Sequence, residues 1–314
     1  MLKNLLLTAW RNLKKRKGYA FINIMGLAIG IACCLLILLY VKQELSYDRQ
    51  HPDYERIYRV ALDIRSGSSN RVFANASATL APALKKDFPQ IETAFRLLKT
   101  DSRLVSDGGE KKFYEKNFFY ADPEVLQVLC LPLRAGNPQE ALLRPATVVI
   151  SEALAFKYFG EANPTGKTLI IADKKYEVTG VFTDAGFNSH ATFDLIASFS
   201  TLAEWPLLEN WYLTVFYNYI KLKPNVDLAD FKQKIEHFAN RYVGDGLKEQ
   251  NASFHYFLQP IHSIHLHSRL DGELAPPGTI NSVYIFSVVS FVRAAEASRC
   301  AKCWSPVNLP FHCC

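Results

Sequence analysis

Between Cys34 and Cys300 the chain holds a single cysteine, Cys130. That residue has no mate for a disulfide within the segment. A domain there must be held by its own apolar core, and at about 240 residues it is large enough to build one. Catalytic signatures are missing too: there is no Gly-x-Ser-x-Gly, no His-Glu-x-x-His and no pair of Cys-x-x-Cys motifs. The sequence therefore gives no nucleophile or ligand set on which to found an enzyme. Residues 1–18 contain no acid, and Tyr19–Val41 contains no charge of either sign.

That uncharged run, YAFINIMGLAIGIACCLLILLYV, is 23 residues long. As a helix it rises about 34 Å, enough to cross a hydrocarbon core of about 30 Å. Its one strongly polar side chain, Asn23, lies near an end. Lys3, Arg11, Lys14, Lys15, Arg16 and Lys17 precede it, whereas Lys42 is soon followed by Glu44 and Asp48. The positive-inside rule puts the N-terminus in the cytoplasm and the body of the chain on the far side. The run is longer than a signal-peptide core and ends without a small-residue cleavage site, so a retained anchor is expected. Leu2, Leu5, Leu6, Ala9, Trp10 and Leu13 share one helical face, which predicts a basic amphipathic helix lying in the cytoplasmic interface. A plain topogenic flank is the alternative. The net charge of +6 is concentrated in these first residues and the last 22. The body between is slightly acidic, which argues against a nucleic-acid surface.

From Ser46 the composition becomes that of a globular domain. Alternation predicts strands at 56–64, 93–98 and 112–120, a helix from Ser77 to Phe88, and a short helix opened by Asp122-Pro123. Thr147–Ile150 reads as a strand, followed by a helix Glu152–Phe159 capped by Ser151 and closed by Gly160. Thr168–Ile171 and Tyr176–Phe182 form a hairpin. Tyr212–Leu222 is strand-like. One amphipathic helix runs from Asp227 through Tyr242 to Gly244, and His255–Ile261 is the last strand. Helices and strands alternate without βαβ regularity, so the class is α+β.

Three motifs have a plainer reading. GEANPTGKT puts five residues between Gly160 and Gly166, where a P-loop needs four, and it lies between a helix and a strand rather than the reverse. It reads as a structural turn. His265 and His267 would share a strand face beside His262, but no carboxylate or cysteine nearby in sequence completes a metal set. Cys300 and Cys303 have redox or zinc spacing in a tail without periodic structure. No metal and no cofactor are expected. A second apolar run, 283–292, is too short to span. Behind it, 293–314 holds four of the seven cysteines. We read 283–292 as the start of an incomplete second membrane helix and 293–314 as an aberrant Cys-rich tail, left by a frameshift or early gene end. A DNA frame downstream that fails to continue the apolar run would dispose of that idea.

Four separated stretches, in order, carry a family resemblance: WRNLKKRKGYAFINIMGLAIGIACCLLILLYV, ELSYDRQHPDYERIYRV, TVVISEALAFKYFGEANPTGKTL, and FLQPIHSIHLHS before the second apolar run. The chain resembles the N-terminal portion of MacB/FtsX-like ABC transporter permeases. The resemblance implies an exported α+β domain, 42–282, of the MacB-like periplasmic core type, with a porter and a small accessory subdomain. It implies a cytoplasmic segment 1–18, a membrane helix 19–41 and a non-enzymatic permease driven by a separate cytoplasmic ABC ATPase. Paired permeases or a homodimer, membrane lipids and a periplasmic adaptor would be its partners. Mechanotransmission in the bacterial inner membrane would serve export of peptide, lipoprotein or drug. On this basis Trp10, Arg11, Lys14, Lys15, Arg16 and Lys17 would couple to the membrane interface and the partner. Ser151, Gly160, Pro164, Gly166 and Lys167 would be structural residues of the core motif. The alternative is a bitopic membrane sensor or ligand-binding protein with an extracytoplasmic domain.

Overall fold

The computed structural model describes Lys15, 17–51, 53–67, 69–183, 188–249 and 251–303. The expected 2–13 helix, with Trp10, Arg11 and Lys14, and also Arg16, lie outside these residues. Helix α1 (Lys17–Leu45) overruns the apolar run at both ends. Within it, Ile24–Leu45 is long and apolar enough to cross a membrane. Phe21, Ile22, Leu36 and Leu39 are each more than 60% exposed. Such a surface calls for lipid or a protein partner.

Residues 46–278 form a separate compact unit. Its elements in order are β1 (Ile57–Ser66), β2 (Ser69–Phe73), α2 (Leu80–Asp87), β3 (Ile91–Lys99), β4 (Arg103–Ser106), β5 (Lys112–Glu115), β6 (Phe118–Ala121), α3 (Val125–Val128), β7 (Leu133–Gly136), β8 (Thr147–Ser151), α4 (Glu152–Phe159), β9 (Thr168–Ile171), β10 (Lys174–Phe182), β11 (Leu195–Ser198), β12 (Tyr217–Leu222), α5 (Leu228–Glu236), α6 (Ala239–Glu249), β13 (Ala252–Pro260) and α7 (Ile264–His267). The strands make one mixed sheet ordered β13-β1-β12-β3-β6-β11-β8-β10-β9-β4-β5, with β2 beside β1 and β7 beside β10. Pairing is antiparallel except for β8 with β10 and β6 with β11.

Alternation decides what each face buries. Tyr58, Val60 and Leu62 of β1 point to one side, where Leu84 of α2, Phe231 and Ile235 of α5, and Val243 and Leu247 of α6 complete a cluster. The opposite side is filled by Phe95, Phe119, Ile196 and Tyr219 with Val125 and Leu126 of α3. Farther along the sheet, α4 covers β8, β9 and β10 through Leu154 and Tyr158.

Several elements differ from the periodicity. The helix expected from Asp227 to Gly244 is broken at His237–Phe238, and Gly244 lies inside α6. The break is a tight turn in which Phe238, Asn240 and Arg241 each donate to the carbonyl three residues back. It sets the Phe238 ring among Phe88, Trp211, Tyr242 and Tyr256. The strand foreseen over 112–120 is two strands, because Asn117 turns away to hold Asp194. Of Tyr212–Leu222 only 217–222 joins the sheet. The Tyr212 N–H is capped by the Asn210 side chain instead. His265 and His267 sit on the one-turn helix α7, not on a strand.

The remaining unit contains α1 and the last helix, α8 (Ile280–Cys303). Its apolar part, Ile280–Ser290, is shorter than a span. The helix nonetheless continues past Arg293 through RAAEASRCAKC, a stretch of good helix formers with neither glycine nor proline. Within this unit the Tyr40 and Phe286 rings meet edge to face at 5.4 Å.

Candidate functional site

The chain enters the sheet domain at Ser46 and leaves it at Gly278, and both leads are tied down by buried polar groups. On the incoming side, Asp48 takes a left-handed backbone conformation, φ +57°. Non-glycine residues hold such a conformation only when their surroundings fix it. Its N–H donates to Asn188 O at 2.8 Å, and the Asn188 amide reaches Ser46 Oγ at 2.6 Å. The Asp48 carboxylate accepts from the His190 N–H and from the Ser189 hydroxyl, each at 3.2 Å. His190 Nδ1 stands 2.8 Å from the same carboxylate, and its Nε2 is 2.7 Å from the Tyr219 hydroxyl. Asp48, His190 and Tyr219 are all buried. Tyr219 lies on β12, the third strand from the β13 end of the sheet, stacked on Phe95 at 5.1 Å. Burial pushes the Tyr219 hydroxyl well above its ordinary pKa, so it stays a neutral hydrogen-bonding group.

On the outgoing side, Arg59 of β1 is fully buried yet fully charged. Burial alone would lower its pKa, but the Glu273 carboxylate outweighs that and raises it. The guanidinium donates to both Glu273 oxygens at 2.7 Å, to Gln259 at 2.6 Å and to Ser268 at 3.1 Å. The Ser268 hydroxyl also donates to Glu273. Backbone bonds bind Asp271 to Val72 and Ala74 at 2.8 and 2.9 Å. Tyr217 OH donates to Gly272 O at 2.6 Å, and Lys99 Nζ to Leu274 O at 2.7 Å. A small cavity of about 160 Å³ is lined by both His190 and Glu273, so the two networks meet at its wall.

A partly exposed ionic cluster flanks the start of β1. Lys221 holds Asp53 at 2.8 Å and Glu92 at 3.1 Å, while Arg56 reaches the same two acids at 2.6 and 2.9 Å. Hydrogen bonds from Lys221 and then Arg56 hold the Asp53 carboxyl down at about 2.

Of the coupling residues read from sequence, Lys15 and Lys17 are helical and exposed. The core-motif residues form a helix cap, a helix stop and a turn in succession. Ser151 Oγ accepts from the Leu154 N–H at 3.2 Å. Gly160, at φ +63°, ends α4 with its N–H on Phe156 O. Gly166, at φ +82°, donates to Val178 O at 2.7 Å, and the Lys167 N–H closes on Pro164 O at 3.0 Å. These backbone donors are spent on the protein itself, and the Lys167 ammonium lies over the Phe159 ring at 5.0 Å. The histidines of 262–267 do not converge: His265 stacks on Tyr47 and His262 meets Tyr54 edge-on. Among the described residues no group of three or more His, Cys, Asp or Glu could hold a metal ion. Sequence reading passed over Asp48, Arg59, His190, Tyr219 and Glu273. The one local signal was Arg59, a charge in the middle of an alternating strand.

The fold is thus a mixed α/β sheet domain joined in sequence to a helix long and apolar enough to cross a membrane. The model of the MacB-like periplasmic core domain family matches residues 20–238, and the chain belongs to that family. A solved domain of a protein described as a permease, from Porphyromonas gingivalis, is 26% identical with a TM-score of 0.61, the match covering 76% of this chain and 99% of that one. The periplasmic region of MacB from Actinobacillus actinomycetemcomitans is 18% identical, TM-score 0.45, over 62% of this chain and 87% of that one. The extracellular domain of the noncanonic ABC-type transporter YknZ from Gram-positive bacteria is 14% identical, TM-score 0.43, over 62% and 98%. No curated protein gives a match.

Proposed function

We propose that this chain is a permease subunit of a MacB/FtsX-like ABC transporter. A partner ATPase hydrolyses ATP in the cytoplasm, and the permease turns that into movement of its periplasmic domain for export of a peptide, lipoprotein or drug. The N-terminus lies in the cytoplasm, the anchor in the inner membrane, and the protein acts as a pair. Lys14, Lys15, Arg16 and Lys17, with Trp10 and Arg11, meet the inner leaflet and the ATPase. The observation that carries the reading is the membership in the MacB-like core family of a chain whose domain is fastened at both leads. Displacing Ser46–Asp48 pulls on Tyr219 of β12 through His190, and displacing 268–274 pulls on β1 through Arg59. A lead so tied passes force to the sheet rather than absorbing it in a loop.

The test is crosslinking in native membranes from a reactive group at Lys15, followed by identification of the captured protein. Recovery of an ABC ATPase is expected. Recovery of a kinase or cyclase in its place would favour a sensor and end the transporter reading. Topology is checked in parallel with an impermeant maleimide on a variant whose native cysteines are serines. Lys174→Cys should label from outside and Asn4→Cys should not.

A further inference from the structure

Five of the eight histidines, His51, His190, His262, His265 and His267, lie where the chain enters and leaves the sheet domain. Two aromatic pairs join the incoming segment to the outgoing one, and each contains a histidine. His265 stacks flat on Tyr47 with ring centres 3.5 Å apart, and His262 meets Tyr54 edge to face at 5.3 Å. Histidine is the side chain whose charge changes nearest neutral pH. What each ring can do with an added proton decides how this joint behaves in acid.

Three of the five can take one where they stand. His190 Nδ1 faces the Asp48 carboxylate, and its Nε2 faces the Tyr219 hydroxyl, which accepts as readily as it donates. His265 as a cation would lie over the Tyr47 ring, a favourable place for positive charge. His267 is exposed.

The other two cannot. His51 Nδ1 accepts the Asp53 N–H at 2.9 Å, so a proton on that nitrogen would set two donors against each other. Lys221 and Arg56 stand near the ring together with Asp53 and Glu92, and both acids are already engaged by those two cations. His262 Nδ1 is buried with no hydrogen-bond partner among the described residues. An imidazolium carries an N–H at both ring positions, so the charged form would hold a buried donor without an acceptor. Arg49 and His267 add positive charge beside it, against Glu55 and Asp48, and Asp48 is committed to His190 and Ser189. Burial holds both rings below their ordinary 6.5, followed by Lys221 for His51 and by Arg49 for His262. Attached leads therefore bind fewer protons than detached ones. Attachment is complete above about pH 6.5 and weakens as pH falls below it.

We propose that the two leads form an acid-released joint: protonation of His51 and His262 parts the incoming segment from the outgoing one while the sheet behind them stays folded. Among the described strands only β13, at one end of the sheet, carries a histidine, His255. The joint is a property of the domain itself and stands apart from the transporter reading.

The experiment is hydrogen exchange on the full chain in detergent, from about pH 7.5 to about pH 5, with protection corrected for the intrinsic pH dependence of exchange. Protection of peptides covering 46–56 and 261–274 should fall about tenfold or more, while that of β8 and β11 holds. His51→Asn keeps an oxygen that accepts the N–H two residues on, and His262→Phe keeps the ring against Tyr54. Neither new side chain can be protonated, so the double variant should hold its leads at both pH values, and each single variant should recover part of the loss. The native chain's own pH series decides the matter should the double variant fail to fold. Leads whose protection does not change with pH, loss of protection in β8 and β11 in step with the leads, or a folded double variant that loosens in acid as the native chain does would each overturn the proposal.

Discussion

Replacing His190 by alanine strips the Asp48 carboxylate of its ring partner and leaves the Tyr219 hydroxyl buried with nothing to bond. Each buried polar group left unsatisfied costs about 1–3 kcal/mol, so His190→Ala should destabilise the domain by about 3 kcal/mol in urea unfolding. His190→Gln, which can still reach one partner, should cost less. The Asp53 cluster makes a different prediction, in pH. Its folded pKa of about 2 lies below the ordinary value of 3.8. The stabilisation is therefore complete above about pH 4 and is lost as pH falls through 2. In Asp53→Asn that contribution is gone at every pH. Acid titrations of stability for the two proteins should be separated above pH 4 and should converge toward pH 2. Neither Asp48 nor His190 could be singled out from sequence, because 142 positions part them and each alone is an ordinary loop residue. Arg59 came closer to being legible, since a charge inside the strand RIYRVALDI needs a buried partner. The partner is Glu273, 214 positions away, beyond any local pattern.

At the level of elements, local signals worked where one stretch of chain decides the outcome. Ser151, Gly160 and Gly166 mark a cap, a stop and a turn, and each does its work with backbone groups nearby in sequence or just across the hairpin. Local reading failed where packing overrides periodicity. The 228–244 pattern is continuous in apolar spacing, yet Phe238 is drawn into an aromatic cluster that includes Phe88 and Tyr256, and the helix bends to let it in. Glycines show the same contrast between local and distant causes. Gly166 faces open space and needs only its positive φ, so Gly166→Ala should cost about 1 kcal/mol. Gly136, at φ +98°, lies against β10, where an added Cβ would sit 2.2 Å from Thr179 O. Gly136→Ala should cost more than about 3 kcal/mol, or prevent β7 from pairing at all. Thermal melts of the two variants side by side check the difference.

Across the whole domain, order along the chain and order in the sheet disagree. β1 lies between β12 and β13, with Tyr58 opposite Pro260 and Ser66 opposite Ala252. A chain stopped at residue 250 loses that partner strand along the full length of β1. It should show no cooperative melt and rapid proteolysis, whereas one stopped at Gly278 should keep both cooperativity and protection. The α+β class was readable from alternating periods. The strand order was not, because it depends on pairings between the two ends that no window of sequence contains.

The pairing of β1 with β13 also sets a clock. About 200 residues separate the two strands, and at roughly 5–20 residues per second they emerge on the order of ten to forty seconds apart. Throughout that interval the edge of β1 that β13 covers stays open, although β2, next in the chain, can pair with the other edge at once. Non-local pairing of this kind is slow to form and prone to wrong partners. The nascent domain is thus most vulnerable to aggregation and proteolysis before its last strand arrives, and a holding chaperone would be needed early in its synthesis, not late.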